Sequence, residues 1–443
     1  MTRTRFSTLL AAGTLVLASP GALVAAEPKA AVGKPNIVFI LADDLGLDGV
    51  GCYGSDTYKK QTPNIDALAR TGTRFEACYA SPWCGPSRCL LLTGRYAFRT
   101  GGLGNGSWRQ GGPGPKSQDE YPIARLLKEN GYTTCQTGKW RQVGETPKDW
   151  GFDEYCTDEF GTAGGWHWKK SYIKNGETVN TDKEVYYPDV VHDFAIDFIN
   201  RNKEKPFFLY YATRLVHWPM ERTPDSKPGT TDEKARYADN LAYLDKQVAL
   251  IVKELERRHL REKTLIVFSA DNGTQGPRRG PRGQNPNFAT TVNGRVISGY
   301  KGQHLEGGSR VPLIANWPGV TPPGRVLKDL IDFSDMYPTF AEIAGAPMPR
   351  DLPFDGQSYA PQLRGQTGKP REWVYVQSGN QWYVRSPGWK LTHSGDLFDM
   401  KDAPFVEKPV AADSTDADAR AAREKLQKVL DALNPAGGKV DKR

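Results

Sequence analysis

Cysteine is scarce in this chain of 443 residues: there are six, and none forms a C-x-x-C pair. That spacing excludes a zinc ribbon or related structural zinc site, which needs thiolates paired closely in sequence. Beyond the N-terminus no apolar run approaches the roughly 18–20 residues that span a bilayer as a helix. Long runs of lysine and arginine are missing, although the formal net charge is +8. A diffuse excess of this kind suits an anionic small or polymeric substrate, and no nucleic-acid motif accompanies it. Internal repeats of 20–50 residues are absent as well, which argues against a solenoid or propeller.

What is present begins with Arg3, Arg5, an apolar run from Leu9 to Leu17, and Val24-Ala25-Ala26 before Glu27. Charged start, apolar middle and small-residue end predict a signal peptide over residues 1–26 and an exported protein, periplasmic or secreted. Removing Arg3 and Arg5 lowers the net charge from +8 to +6. The remainder is long enough for one large α/β core and a smaller subdomain.

Pro35 to Leu41 is a continuous apolar run rich in β-branched residues and ends in Ala42-Asp43-Asp44. It reads as a parallel strand buried on both faces that delivers two carboxylates at its C-terminal end. Thr62 and Pro63 read as the N-cap and first position of a helix. Ile123 to Asn130 reads as a short helix, and the strand after it ends at Gly138-Lys139-Trp140. Residues 190–202 have helical apolar spacing, and Pro206 to Tyr211 is a buried strand running out to His217-Trp218-Pro219. Leu241, Leu244, Val248, Ile251 and Leu255 mark one face of a long helix. Thr264 to Phe268 is a third apolar strand, ending in Ser269-Ala270-Asp271-Asn272-Gly273.

This alternation predicts a doubly wound α/β domain over residues 33–365, its mostly parallel central sheet flanked by helices. From about residue 370 short aromatic strands predict a smaller C-terminal subdomain, residues 366–443, of antiparallel sheet. A helix over Ala421 to Leu433 closes it, and residues 401–417 read as loop. Open sheets of this class place their sites at the C-terminal ends of the strands. Asp43, Asp44, Asp271 and Asn272 all fall there, and four such oxygens select Ca2+ or Mg2+ rather than zinc or copper.

Residues 84–95 read Cys84-Gly-Pro-Ser-Arg-Cys-Leu-Leu-Leu-Thr-Gly-Arg95. Pro86 and Ser87 suit a first helical turn, which puts Cys84 at a helix N-terminus, where free N–H groups and the dipole favour negative charge. The stretch resembles the Cys-x-Pro-Ser-Arg-x-x-Leu-x-Thr-Gly-Arg signature of type I sulfatases, within the alkaline-phosphatase-like superfamily. Cys84, Pro86, Ser87, Arg88, Leu91, Thr93, Gly94 and Arg95 fill every specified slot.

The resemblance implies that a formylglycine-generating maturation enzyme oxidises Cys84 to formylglycine. It also implies one divalent cation, usually calcium, held by Cys84, Asp43, Asp44, Asp271 and Asn272. By the same likeness Arg88 steadies the formylglycine, and Lys139 in Gly-Lys-Trp contacts the sulfate. His217 in His-x-Pro and Lys301 in Lys-Gly-x-x-x-Glu-Gly-Gly-x-Arg bind the ester oxygen and protonate the departing alcohol. Asp271 is placed to accept the nucleophile's proton. With Cys84 converted, five cysteines (52, 78, 89, 135 and 156) leave room for one or two disulfides at most.

One position departs from the family: Gly-Lys-Trp normally continues with histidine, and here it is Arg141. In the family that histidine helps release sulfate from the covalent intermediate, and arginine is no base near neutral pH. Another group (Asp271, His167 or His304) takes that role, turnover is slower, or the anion is held differently. Substrate contacts are expected from Arg141, Trp166, His167, Arg278 and His304, with Arg279, Arg282, Arg295, Trp382 and Trp389 around them. Aromatics beside basic groups suit a sulfated poly- or oligosaccharide. A phosphodiester or phosphonate-monoester hydrolase of the same superfamily is the alternative enzyme. An unmatured binder of sulfated glycans is the non-enzymatic one.

Overall fold

The computed structural model describes residues 1–2, 33–106, 114–140, 143–158, 163–280 and 283–437, without the side chains at 278–280 and 283–284. Residues 3–26 of the expected signal peptide, Arg141 and Arg282 lie outside the described residues.

The first strand, β1 (Asn36–Ala42), is buried at all seven positions, as its unbroken apolar run requires of a strand covered on both faces. After helix α1 (Pro63–Arg70) come β2 (Thr73–Tyr79), α2 (Cys84–Thr93) and α3 (Ile123–Glu129). Then β3 (Thr133–Lys139) and β4 (Glu154–Asp158) lead to a hairpin of β5 (Trp168–Lys174) and β6 (Glu177–Tyr186). Helix α4 (Tyr187–Arg201), β7 (Phe207–Ala212), helix α5 (Glu233–Arg257) and β8 (Thr264–Ala270) follow. The domain ends with β9 (Arg310–Asn316), β10 (Arg325–Asp332) and α6 (Met336–Ala344).

These strands form one ten-stranded sheet in the order β10-β2-β9-β8-β1-β7-β3-β4-β5-β6. The middle five, β8-β1-β7-β3-β4, are parallel throughout. Antiparallel pairing enters at both flanks, through β9 on one side and the β5–β6 hairpin on the other. Helices α1, α4 and α5 pack together as one group and α2, α3 and α6 as another, giving the expected layered α/β arrangement. The register pairs Ala42 with Ala270, so the residues just beyond β1 and β8 emerge side by side.

Local expectations differ in places. Thr62 holds the N-cap position of α1, but its hydroxyl accepts from Gly51 N–H at 2.9 Å instead of capping the helix. The α1 amides of Asn64 and Ile65 donate to the Asp245 carboxylate on α5, at 3.0 and 2.8 Å. A tertiary carboxylate has replaced the local cap, which ties the two helices together. All six cysteines are free thiols, so none of the allowed disulfides forms.

At the C-terminal end, five short strands between Val374 and Val410 form a separate antiparallel sheet. Lys408–Val410, within the stretch read as loop, is its edge strand. The closing helix runs over Ala417–Leu433, four residues longer at its start than expected, because Asp416 caps it by accepting from Ala419 N–H at 2.8 Å. A buried ionic group joins the two sheets. Glu306 accepts from Tyr79 Oη at 2.9 Å, Arg310 Nη1 at 3.0 Å and Arg385 Nε at 3.0 Å, and Arg385 lies on the small sheet. Burial alone would raise the Glu306 carboxyl, but Arg385 and Arg310 outweigh it and hold the group below the usual range.

His192 on α4 is buried near Tyr211, and burial pushes its pKa down to about 4 from an ordinary value near 6.5. The folded protein therefore binds fewer protons than the unfolded chain across that window. Its contribution is full above about 6.5 and is lost as pH falls towards 4. His192→Gln is expected to flatten the fall of melting temperature between those pH values, measured by thermal unfolding at a series of pH values.

Candidate active site

The ends of the central parallel strands and the start of α2 converge on one buried group. Asp43 and Asp44 follow β1, Lys139 ends β3, Asp271 and Asn272 follow β8, and Cys84 opens α2. Lys139 Nζ bonds both oxygens of Asp43, at 2.7 and 2.5 Å. Lys301 Nζ bonds Asp44 Oδ2 at 2.6 Å. Arg88, one turn into α2 from Cys84, donates from Nε and Nη2 to Asp271 Oδ2 at 3.0 and 2.7 Å. Its Nη1 donates to the Lys139 carbonyl at 3.2 Å. The Cys84 thiol lies 3.6 Å from Asp43 Oδ1 and 3.7 Å from Asp44 Oδ1.

Two backbone features serve this packing. Asp44 sits at φ +63°, a left-handed conformation that aims its N–H at Asp271 Oδ1, 3.1 Å away. Gly138 has φ +92°, and a Cβ there would lie 2.0 Å from the Ala212 carbonyl, so β3 can approach β7 this closely only with glycine.

The electrostatics follow from burial. Asp43, Asp44, Asp271 and Arg88 have no exposed surface, Lys139 has 1% and Lys301 6%. Burial and then the Asp43 charge push the Asp271 carboxyl up. Burial would also raise Asp44, but the neighbouring His217 and Lys301 outweigh it and the group is lowered. Burial, reinforced by Asp271, pushes the Cys84 thiol far up. As a plain thiol Cys84 is therefore protonated and a poor nucleophile at neutral pH. Burial pulls Lys301 down less than Asp44 raises it, and it stays an ammonium.

His217 joins the group through Nε2, 3.6 Å from Asp44 Oδ2, while its Nδ1 faces the Trp218 carbonyl. Burial holds its pKa well below the ordinary value despite the attraction of Asp44. Ligand atoms of Asp43, Asp44, Cys84 and His217 all lie within 4.8 Å of one another. The Asn272 amide donates to Asp44 Oδ1 at 2.9 Å, leaving its own buried Oδ1 without a hydrogen-bond partner. An orphaned amide oxygen beside three carboxylates fits a hard divalent cation.

The other expected contacts divide. The Trp166 indole stacks on the His217 ring, with centroids 4.9 Å apart and planes at 27°. His167 is fully buried, neither ring nitrogen has a hydrogen-bond partner, and burial with nearby Arg214 pushes its pKa down to about 3. His304 lies near Ser378, Nε2 to Oγ 3.1 Å. Among the described residues neither His167 nor His304 makes a hydrogen bond or ion pair to Cys84, Asp43, Asp44 or Asp271. Arg278 begins a short antiparallel ribbon, Arg278–Gly280 with Gly283–Asn285. Arg295 is paired with Asp402 at 2.8 Å, on the surface. Trp382 and Trp389 lie on the small sheet, partly buried.

Apart from His304, expected as a substrate contact, the residues around the start of α2 were not foreseen. An open depression of about 450 Å3 next to α2 is lined by Trp83, Asn105, His304, Ser378, Asn380 and Gln381. Asn105 also accepts from Gly85 N–H at 2.6 Å, beside Cys84. No periodicity marks these residues, which come from four separate segments. The adjacency of Trp83 to Cys84 was the one available signal.

A family model described as Sulfatase matches residues 35–346. Arylsulfatase A of Homo sapiens is 33% identical over 398 residues, covering 82% of this chain and 73% of the human protein. N-acetylgalactosamine-6-sulfatase of Canis lupus familiaris is 32% identical over 427 residues, covering 87% of this chain and 76% of the canine protein. The solved structure of Ps i-CgsB in complex with k-i-k-neocarrahexaose matches with a TM-score of 0.76 at 28% identity, covering 92% of this chain and 94% of that one. Among the described residues no helix is long and apolar enough to cross a membrane.

Ca2+ at about a hundred times its dissociation constant is expected to stabilise the protein by about 2.7 kcal/mol, read as a rise in melting temperature that a chelator reverses. Asn272→Ala should shift the midpoint of that rise to higher Ca2+. An unchanged midpoint would remove Asn272 from the donor set.

Proposed function

The chain belongs to the sulfatase family and is a sulfuric ester hydrolase, and from that premise we propose that it removes sulfate from a sulfated poly- or oligosaccharide. The observation that carries the reading is the meeting of Cys84 with three carboxylates and three cationic side chains in one buried pocket. Three charges of each sign cancel. A divalent cation added to them leaves the pocket with net positive charge, which suits the single negative charge of a sulfate ester.

Formylglycine at position 84 supplies, as its hydrate, a nucleophile that can later expel sulfate. Asp43, Asp44, Asp271 and Asn272 would hold a divalent cation beside residue 84, which would supply charge stabilisation there when bound. Lys139 and Lys301 compensate charge on the transferring group, each already fixed by a carboxylate. Arg88 anchors Asp271, whose raised pKa makes it a better proton acceptor than an exposed carboxylate. The departing oxygen is assigned to His217 and Lys301, whose Nε2 and Nζ lie 3.6 and 2.6 Å from Asp44 Oδ2.

For the substrate, Trp83 gives the depression beside α2 an aromatic face, and Asn105, His304, Ser378 and Gln381 give it polar groups. That mix suits a sugar ring. Ps i-CgsB was solved with a neocarrahexaose, and the canine relative is named for an N-acetylgalactosamine 6-sulfate; both names support a sulfated carbohydrate. The N-terminal segment supports export, and maturation requires a formylglycine-generating enzyme.

Cys84→Ala is expected to abolish desulfation, by at least about 10^4-fold, with the melting temperature nearly unchanged. Intact-peptide mass analysis of protein from its native host should show residue 84 converted. An ordinary thiol there would favour an inert glycan binder. Rates on a panel of sulfated saccharides and on 4-nitrophenyl sulfate should exceed those on the matching phosphate esters. The reverse order would favour phosphoester hydrolysis.

A further inference from the structure

We propose that Trp166 is a positioning residue that sets the orientation of the His217 ring towards the departing oxygen. The inference rests on the role given to His217 above. It assigns Trp166 to the catalytic machinery through His217, in place of the substrate contact expected for it.

His217 has few restraints of its own. It lies in a loop beyond β7, and its side chain is 19% exposed. One ring nitrogen faces a neighbouring carbonyl and the other stands 3.6 Å from Asp44. The ring plane is set by Trp166, stacked on it at 4.9 Å. The same indole carries the Arg214 guanidinium at 4.3 Å from its centroid. Arg214 and His217 are the ends of one turn, closed by His217 N–H donating to the Arg214 carbonyl at 2.9 Å. One tryptophan therefore engages both ends of the turn that carries the histidine.

Trp166 is in turn held from two sides. Glu221, four residues beyond His217, accepts from the consecutive amides of Trp166, His167 and Trp168 at 3.0, 2.6 and 3.0 Å. Gly165 permits this, because a Cβ there would lie 2.5 Å from Glu221 Oε1. The Trp168 indole N–H donates to the Arg222 carbonyl at 2.8 Å. On the other side Arg214 is locked in a fully buried ion pair with Asp158 at the end of β4, which Lys169 joins at 3.4 Å. Residues 163–169 and 214–222 are thus joined at both ends, with the Trp166–His217 stack between.

A double-mutant cycle on the matured full-length enzyme tests this, using whichever saccharide sulfate the wild type turns over fastest. His217→Gln is expected to lower kcat by about 10^2-fold or more. Trp166→Ala should lower kcat by about tenfold at nearly unchanged KM, and Trp166→Phe, which keeps an aromatic face, should recover most of it. The combination Trp166→Ala/His217→Gln should lie within about threefold of His217→Gln alone, since Trp166 acts only through His217. Losses that multiply in the double variant, or a Trp166→Ala effect confined to KM, overturn the inference. A His217→Gln variant with wild-type kcat overturns instead the role of His217 on which it rests. If Trp166→Ala does not fold, as judged by thermal melting, Trp166→Leu takes its place in the same cycle with the same two outcomes.

Discussion

Six charged side chains share one buried pocket, and none of them is tolerable there alone. An isolated carboxylate or ammonium costs several kcal/mol to bury, and removing one partner of a buried pair leaves that cost uncompensated. Asp43 needs Lys139, Asp44 needs Lys301 and Asp271 needs Arg88, each within 2.7 Å. The pairs are also cross-linked, since the Asp44 N–H reaches Asp271 and Arg88 reaches both Asp271 and the Lys139 carbonyl. The pocket is therefore a cooperative unit, and its chemistry depends on every member being delivered to the same place.

The sheet makes that delivery. Parallel pairing of β8 with β1, β1 with β7 and β7 with β3 aligns the C-terminal ends of four strands drawn from residues 36 to 270. Their last residues leave the sheet in the same direction, so Asp43, Asp271 and Lys139 converge without any long loop to carry them. Helix α2 adds Cys84 and Arg88 from above, one turn apart on one face. Antiparallel strands at the flanks widen the platform. On one side the β5–β6 hairpin leads in from the Trp166 loop, and on the other the Glu306 group fastens the small sheet whose Ser378 and Gln381 line the depression beside α2.

Rigidity around the pocket is uneven in kind. The carboxylates and cations are fixed by ion pairs, whereas His217 is fixed by packing and by a turn. Glu221 and Arg214 act at a distance from the reacting atoms and matter because they hold an aromatic surface in place. Exposed charge elsewhere has no such leverage: Arg295 with Asp402 is a surface pair, screened by water and salt.

Much of this was legible in the residues themselves. Apolar runs of strand length announced β1, β7 and β8. The residues just beyond β1 and β8, with the stretch around Cys84, marked groups that meet in the pocket, because local sequence dictates both strand burial and where a strand stops. Tertiary structure decided the rest. Strand order could not be read from periodicity, nor could the partner of each charge, since Asp245 capping α1 joins residues 180 positions apart and Arg88 meeting Asp271 residues 183 apart. The Trp166–Glu221–Arg214 clamp was invisible for the same reason: stacking and ion pairing depend on distance in space, and no spacing along the chain encodes it. A sequence states which groups are available, and only the folded sheet determines which of them meet.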